Sequence, residues 1–315
     1  MEGLDKSRIV AIGGPTASGK TALSVKLASE FQGEIISADS MQIYRGMEIG
    51  TAAPTISEMQ GVAHHMIGAA SPKEDFSVGK YIELAEPILQ DILSRGKTCV
   101  VCGGTGLYAD SLLLGRTFAP CPSTGVREKL EAEVNHTGIE PVLARLKAVD
   151  PEAGARLHPS DRRRIIRALE VYWETGETIS EHNRKTKLLP PKHDAVWLGL
   201  SFENRPDLYD RIALRVEKML KAGLLDEIRA LLSSGVPPTA TAMQAIGYKE
   251  FVDALTNSGD IAAAAALVQQ RSRNYAKRQL TWLRRNEQIH WILQPREPDF
   301  SAVFQQACAN IPFFA

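Results

Sequence analysis

Residues 14–21 constrain the fold of this chain more than any other segment. They match the pattern G-x-x-x-x-G-K-[ST] and stand between the apolar run 9–12 and an amphipathic stretch from Ala22. This strand–loop–helix context is typical of a nucleotide-binding or ATP-binding P-loop. Small residues let backbone N–H groups surround phosphate oxygens at a helix N-terminus, Lys20 adds charge, and the Thr21 hydroxyl can bind Mg²⁺. The sequence therefore predicts a polyphosphate site formed by Gly14, Pro15, Thr16, Ala17, Ser18, Gly19, Lys20 and Thr21.

Strands and helices alternate along the first hundred residues. Strand patterns cover 8–13, 34–38 and 98–102, and helical patterns cover about 20–31 and 78–94. Strands separated by helices of this length predict a parallel, doubly wound sheet with sites at the C-terminal ends of its strands. Later segments add further elements, with strands predicted at 195–200 and 290–293 and helices at about 207–222, 224–232, 242–255 and 260–285.

The middle of the chain has a different pattern, because residues 124–187 are helical and highly charged without a strand signal. Ser160 or Asp161 is expected to begin a helix that runs to Thr175 and ends at Gly176, and residues 178–181 form a capping box for the next helix. We therefore expect an α/β fold, a P-loop NTPase-like parallel sheet core at 1–123 and 191–315 with a mainly helical inserted domain at 124–190.

Composition limits the environment and the partners of the protein. The 315 residues are 44% hydrophobic and carry no formal net charge, so a basic surface must be a local patch. The N-terminus lacks an apolar leader, and no apolar stretch approaches the length of a membrane span. Four cysteines do not form a disulfide scaffold. We expect a cytoplasmic monomer that contacts no membrane.

Two residues at predicted strand ends are candidates for catalysis. Asp39 follows the second strand, whereas the third strand ends in glycines without the acid with which a nucleotide hydrolase holds Mg²⁺. A lone carboxylate suits a general base, although a turn cap is the alternative. Thr105 could direct its hydroxyl at a leaving group or simply serve the turn. Arg211 and Arg215, four residues apart on one helix, could bind phosphates or form a solvated face.

Two basic stretches indicate nucleic acid. Residues 162–167 contain four arginines, and residues 271–285 contain six cations without an acid between Asp260 and Glu287. On a helix those six cations cover an arc of roughly 160°, with Tyr275 and Trp282 at its edges. Such an arc is typical of phosphate contacts and base stacking. A solvated surface helix, which normally interleaves acids, is the alternative.

Together these segments resemble the tRNA dimethylallyltransferase family, also called tRNA isopentenyltransferase. The resemblance lies in 14–21, 39–51, 103–108, 163–170, 244–250 and 275–284, which follow the order of the family along nearly the whole chain. Ala53 and Gly68 depart from the pattern of the family, where Lys and an acid are common. The lack of a Cys/His-rich segment after Trp291 is typical of the bacterial form.

The resemblance implies transfer of a dimethylallyl group from dimethylallyl diphosphate to N6 of the adenosine beside a tRNA anticodon, with release of pyrophosphate. It implies that Asp39 accepts the N6 proton, that Thr105 contacts the leaving oxygen, that Lys20 and Arg215 neutralise pyrophosphate, and that Thr21 holds Mg²⁺. The insert would hold the anticodon stem. The residues implied to contact tRNA are Asp39, Ser40, Met41, Gln42, Thr105, Arg127, Arg163, Arg164, Arg167, Gln244, Gly247, Tyr248, Lys249, Lys277, Arg278, Gln279, Trp282 and Arg284.

Two alternatives remain at this stage. An isopentenyltransferase that acts on free adenine nucleotides would not need the basic stretches 162–167 and 271–285. A nucleotide-switched RNA-binding protein would bind ATP or GTP tightly and tolerate substitution of Asp39.

Overall fold

The computed structural model describes residues 8–116, 118 and 124–314. The chain divides into two compact units. Met1–Leu113 and Lys192–Ala315 form one unit, called the core unit below, and Leu114–Pro191 form the other, called the insert.

Six strands in the core unit form a parallel sheet. They are β1 (Ile9–Gly13), β2 (Glu34–Ser37), β3 (His64–His65), β4 (Cys99–Gly103), β5 (Val196–Phe202) and β6 (Ile289–Gln294). Their order is β3-β2-β4-β1-β5-β6, and every neighbouring pair is parallel. The chain leaves β1 towards β2 on one side and later returns to β5 on the other. This reversal places the topological switch point, where open α/β sheets bind ligands, at the C-terminal end of β1. The predicted fold class is confirmed.

Helices cover the sheet and form most of the insert. In the core unit they are α1 (Lys20–Glu30), α2 (Glu48–Thr51), α3 (Ile56–Met59), α4 (Val78–Ser94) and α5 (Gly106–Leu113). In the insert they are α6 (Val126–Thr137), α7 (Glu140–Val149), α8 (Pro151–Arg156), α9 (Arg162–Thr175) and α10 (Ile179–Lys187). The rest of the core unit adds α11 (Arg205–Lys221), α12 (Leu224–Ser233), α13 (Tyr248–Asp253), α14 (Ile261–Leu283) and α15 (Phe300–Ala309).

Strand β1 is buried on both faces, which explains its unbroken apolar sequence. Ile9 and Ala11 belong to the larger hydrophobic cluster, whereas Val10 and Ile12 belong to the cluster on the other face. Because side chains alternate along a strand, these four residues fix the sheet between two helical layers. The loop that follows β1 therefore starts from a rigid point.

The insert has its own hydrophobic core, built around side chains such as Leu130, Leu146, Ile165 and Leu169. Helix α9 ends at Gly176, whose φ of 73° is the left-handed conformation that favours glycine. Thr178 and Glu181 form the expected capping box of α10. The local predictions for this part of the chain are confirmed.

The predicted secondary structure differs from the structure in several places. Helices α2, α3, α5 and α15 lie in segments for which no element was predicted. Strand β3 has only two residues, too few for a recognisable pattern, and it was not predicted. The helix predicted at 242–255 is interrupted, because Ala245 is extended and Gly247 has a φ of 100°. A short 3₁₀ turn, α13 and a π-helical turn occupy that stretch instead. The interruption lets Tyr248 enter the core.

Candidate active site

Three loops meet at the C-terminal edge of the sheet. Register pairs Gly13 of β1 with Gly103 of β4, and Ser37 of β2 with Cys102 of β4. A Cβ on Gly103 would lie 2.1 Å from the backbone oxygen of Ala38. The absence of side chains at this position therefore lets the chain after β2 approach the chain after β4. Residues 14–19, Asp39 and Thr105 consequently share one edge of the sheet.

The loop after β1 has the form expected of a phosphate cradle. Gly19, the N-cap residue before α1, has a φ of 89° and gives the helix no side-chain cap, and Ala17 also has a positive φ of 65°. The uncapped first turn leaves backbone N–H groups to an outside acceptor, and an anion is favoured at such a terminus. The Nζ of Lys20 donates a hydrogen bond to the oxygen of Pro15 at 2.8 Å and lies across the loop.

A cavity of about 540 Å³ opens beside this loop and is strongly cationic. Its charged lining residues are Lys20, Lys26, Arg211, Arg215, Lys218 and the single acid Glu58. The pKa of Lys20 is lowered from 10.5 to about 8. Burial is the main cause and Arg215 adds to it, while Cys102 and Asp39 act in the opposite direction. Burial also lowers the pKa of Arg215, whose Nη2 donates to the oxygen of Thr51 at 3.3 Å. Five cations against one acid in the lining, with Lys20 and Arg215 partly buried, make this cavity suited to an anion.

Asp39 caps a turn with one of its two carboxylate oxygens. Its Oδ1 accepts hydrogen bonds from the N–H groups of Met41 at 2.9 Å and Gln42 at 3.4 Å. No hydrogen bond to Oδ2 is found among the residues that the structure describes. The carboxylate lies close enough to raise the pKa of Lys20. Asp39 can thus cap the turn and also accept a proton, because capping fixes the carboxylate through Oδ1 and leaves Oδ2 available.

Thr105 is tied to the same turn. Its Oγ1 accepts from the N–H of Ser40 at 3.0 Å, and the two hydroxyl oxygens lie 3.3 Å apart. Its own N–H donates to the oxygen of Ala38 at 3.1 Å. These bonds hold the hydroxyl of Thr105 beside Asp39. A role at a leaving group stays a prediction.

Tyr275 belongs to the site, although the sequence pattern predicts only that it lies at the edge of the basic arc. Its phenol lies against the side chains of Thr105 and Gln279, and Arg278 stands over its ring at 5.5 Å. Burial raises the pKa of Tyr275 to about 12, and the charge of Asp39 adds to this effect. The phenol therefore stays protonated as a hydrogen-bond donor at physiological pH.

Helix α14 has one inward and one outward face. Ala276, Leu280 and Leu283 are buried, as the periodicity predicts. Lys277, Arg278 and Arg284 are exposed, so their contact with RNA remains a reasonable prediction.

Two side chains predicted to contact RNA point inwards from α14. Gln279 is only 6% exposed. The Nε1 of Trp282 donates to Asp110 of α5 at 2.8 Å, and the indole fills the space over Gly106. In this conformation both residues support the loops of the site.

The segment 244–250 also divides into inward and outward residues. Gln244 and Lys249 are exposed, whereas Gly247 and Tyr248 are buried. The hydroxyl of Tyr248 donates to Glu227 at 2.6 Å, and Glu227 accepts from the N–H groups of residues 49 and 50. The predicted RNA contact of Tyr248 and Gly247 does not agree with this burial. Tyr248 instead anchors the segment that follows Asp39.

Residues 40–42 line the turn after β2 and are half-buried. The Oε1 of Gln42 accepts from the hydroxyl of Ser37 at 3.0 Å, and its Nε2 donates to the oxygen of Ala52 at 3.2 Å. Gln42 thus braces the turn, while Ser40 is bound to Thr105. Contact of these residues with an adenine stays a prediction.

The predicted arginines of the insert differ in exposure and pairing, and Arg164 pairs with Asp161 at 3.5 Å. Arg163 and Arg164 are exposed on α9. Arg127 and Arg167 both bind the buried Glu170, at 2.7 and 3.1 Å. The shared acid reduces the charge that these two guanidiniums offer to a partner.

A parallel sheet with a glycine-rich loop after an interior strand defines a P-loop-like α/β protein. Within the described residues, no helix is long and apolar enough to span a bilayer. The family model for IPP transferase matches residues 42–286, and a model for isopentenyl transferase matches residues 7–71. The chain belongs to the IPP transferase family, which confirms the resemblance.

Curated relatives match along nearly the whole chain. It is 42% identical to tRNA dimethylallyltransferase 1 of Pelobacter propionicus, over 98% of this chain and 99% of the relative. It is 45% identical to tRNA dimethylallyltransferase of a Thermoanaerobacter species, over 90% of this chain and 91% of the relative.

Solved structures agree with this assignment. The tRNA isopentenylpyrophosphate transferase of Bacillus halodurans is 40% identical with a TM-score of 0.71, over 96% of this chain and 94% of that one. A eukaryotic dimethylallyltransferase acting on tRNA is 28% identical with a TM-score of 0.78, over 93% of this chain and 74% of that one.

Proposed function

We propose that this protein transfers the dimethylallyl group of dimethylallyl diphosphate to N6 of the adenosine next to a tRNA anticodon. The similarity to curated tRNA dimethylallyltransferases over 98% of the chain carries the proposal. The cationic cavity beside residues 14–19 and the carboxylate of Asp39 at the same sheet edge support the proposal, because the reaction needs both a diphosphate site and a base. The alternative acceptors, free adenine nucleotides, do not explain the exposed cations of α14.

The diphosphate of the donor would bind in the cationic cavity beside residues 14–19. Backbone N–H groups of the loop and of the first turn of α1 would surround its oxygens, and Lys20 and Arg215 would balance the charge of the departing pyrophosphate. Such charge stabilisation, built in before the reaction, is a large contribution to rate in many enzymes.

Mg²⁺ fits this site as a companion of the diphosphate. Thr21 lines the cavity beside Lys20, and the described residues contain no cluster of three His, Cys, Asp or Glu side chains that could hold a metal alone. Mg²⁺ commonly binds through one or two protein groups together with substrate phosphates and water. Thr21 would therefore hold the ion, which supplies positive charge to the leaving group when it is bound.

The transfer itself requires one bond to form and one to break. The N6 nitrogen attacks the first allylic carbon while the bond from that carbon to the bridging oxygen breaks, and its electron pair leaves with pyrophosphate. Asp39 would accept the N6 proton through Oδ2. The hydroxyl of Thr105 would donate to the bridging oxygen. The fixed turn that connects these two residues holds base and leaving-group donor together.

Recognition of RNA would use the outward face of α14 and the exposed arginines of α9. Phosphate contacts from Lys277, Arg278 and Arg284 would position the anticodon loop, and Arg163 and Arg164 would bind its stem. The adenine must leave its stack before N6 can reach a donor that is bound at the C-terminal edge of the sheet. A monomer in the cytoplasm is part of this proposal.

The decisive experiment supplies dimethylallyl diphosphate with unmodified tRNA, or with AMP, ADP and ATP in parallel. Nucleoside mass spectrometry then identifies the modified product. Among these acceptors, we expect only tRNA to yield dimethylallyladenosine. The Lys20→Ala variant should yield none, because it lacks the ammonium group that would contact the diphosphate. Modification of free nucleotides at a comparable rate would assign the alternative acceptor, and steady ATP hydrolysis would contradict the proposed donor.

A further inference from the structure

Gln279 connects two loops of the site through a single side chain. Its Oε1 accepts a hydrogen bond from the N–H of Thr16 in the phosphate loop at 3.0 Å. Its Nε2 donates to the oxygen of Gly104, the residue before Thr105, at 2.9 Å. The side chain is only 6% exposed, so it is not available to a partner in solution.

The chemistry of the two loops requires a carboxamide at this position. One loop offers a donor and the other an acceptor, and a glutamine side chain has the complementary acceptor and donor on one rigid plane. A methionine of similar length would leave the N–H of Thr16 and the oxygen of Gly104 without these partners. A buried group left unpaired typically costs about 1–3 kcal/mol.

Gly104 is complementary to Gln279 in shape. A Cβ at position 104 would lie 2.2 Å from Nε2 of Gln279, closer than real contacts allow. The glycine therefore makes room for the carboxamide. Position 104 therefore needs a glycine for space, whatever its backbone conformation.

Neighbouring residues of α14 fill the space over other glycines. Trp282 lies over Gly106, and Leu283 lies over Gly13. Among these three side chains only Gln279 hydrogen-bonds both the loop after β1 and the loop after β4. Its two hydrogen bonds connect loops that the pairing of β1 and β4 has already brought close.

We propose that Gln279 is a positioning residue for the transfer reaction, which sets the diphosphate loop against Thr105. This role rests on the proposed function. Gln279 would align the donor and would not contact tRNA. The diphosphate would lie on one loop and the hydroxyl that meets its bridging oxygen on the other. A misplacement of about 1 Å between reacting groups can cost about 10²-fold in rate.

The first test compares Gln279→Met with Gln305→Met, a matched control at an exposed glutamine of α15. We expect kcat/KM for dimethylallyl diphosphate to fall about 10- to 100-fold in Gln279→Met, with tRNA affinity within about twofold of the parent. Gln305→Met should match the parent in both. Loss of tRNA affinity with unchanged donor kinetics would overturn the proposal and return Gln279 to the RNA surface.

A second variant gives a readout that a purely structural role would not produce. In Gln279→Glu, a carboxylate would face the oxygen of Gly104 without a proton to donate. A protonated acid can donate to that oxygen and accept from Thr16, as the amide does. The activity of Gln279→Glu relative to the parent should therefore rise as pH falls from 8 to about 5.5, since burial raises the pKa of a carboxyl. A constant ratio would refute the two-loop contact.

A double-mutant cycle tests the pairing with Gly104 directly. Gly104→Ala should impair the donor step because its Cβ displaces the carboxamide. In a Gln279→Ala background the same change should cost at least fivefold less, because the clash is gone. Additive effects would contradict the pairing.

Binding of inorganic pyrophosphate at pH 7.5 separates this proposal from the proposed function. If the parent binds pyrophosphate but modifies no tRNA, the proposed function fails, and weaker binding by Gln279→Met still supports the positioning of the loop. If Gln279→Met binds pyrophosphate and turns over like the parent, the positioning role fails while the function stands. Thermal unfolding of each variant shows whether it is folded. If Gln279→Met does not fold, the pH dependence of Gln279→Glu activity tests the positioning role.

Discussion

Donor binding should become weaker as pH rises, because Lys20 loses its proton before an ordinary lysine does. Burial, with Arg215 nearby, lowers the pKa of Lys20 to about 8. An anionic diphosphate prefers the ammonium form, so the affinity is scaled by the protonated fraction of the free protein. That fraction falls from about 0.9 at pH 7 to about 0.1 at pH 9 for a pKa of about 8.

The expected magnitude is therefore about a tenfold rise in the Kd of dimethylallyl diphosphate between pH 7 and pH 9. The ligand itself contributes little to this change, since the terminal phosphate group has a pKa near 6. At pH 9 binding should also take up close to one proton, because the bound diphosphate restores the ammonium form. A lysine with its ordinary pKa would show neither effect below pH 9.

Isothermal calorimetry without tRNA measures both quantities, using two buffers with different ionisation enthalpies. Lys20→Arg should bind with little dependence on pH, because a guanidinium stays charged. Lys26→Met, which removes another cation of the same cavity, should keep the dependence on pH. A Kd of the parent protein that stays constant from pH 7 to 9, or a dependence that persists in Lys20→Arg, would refute this reasoning.

Two further predictions concern catalysis and RNA. Asp39→Asn keeps the turn cap but removes the proton acceptor, so single-turnover rates should fall about 10²–10⁴-fold with little change in either affinity; near-normal turnover would leave Asp39 as a cap only. Neutralising Arg278 and Arg284 together should reduce the slope of log affinity for tRNA against log salt by about 0.7–0.9 for each lost phosphate contact. An unchanged slope in that salt titration would identify a merely solvated helix face.

Much of the fold follows from local sequence patterns. The apolar run of β1, the small residues after it and the periodicity of α1 are contiguous, so their structure needs few distant contacts. The caps at Gly176 and Thr178 are equally local, and the structure has both. The meeting of residues 14–19, Asp39 and Thr105 follows from the rule that parallel strands end at one edge of a sheet.

The roles of Gln279, Trp282 and Tyr248 could not be predicted in this way. Helical periodicity predicts which face of α14 is buried on average, but residues at the edge of that face can point either way. What draws Gln279 and Trp282 inwards is empty space over Gly104 and Gly106, far away in the chain. Tyr248 is similarly held by contacts with Glu227 and the segment after Asp39. Such distant partners leave no local signature.

The connection between β1 and β5 has a consequence for biosynthesis. One side of β1 pairs with β4, but its other partner starts only at Val196, after the whole insert. At about 10 residues per second, a ribosome needs on the order of ten seconds to pass from the end of β4 to the end of β5. During that interval the edge of β1 that later pairs with β5 has unpaired backbone groups, which favours aggregation. Because the insert has a hydrophobic core of its own, it can fold before β5 is synthesised.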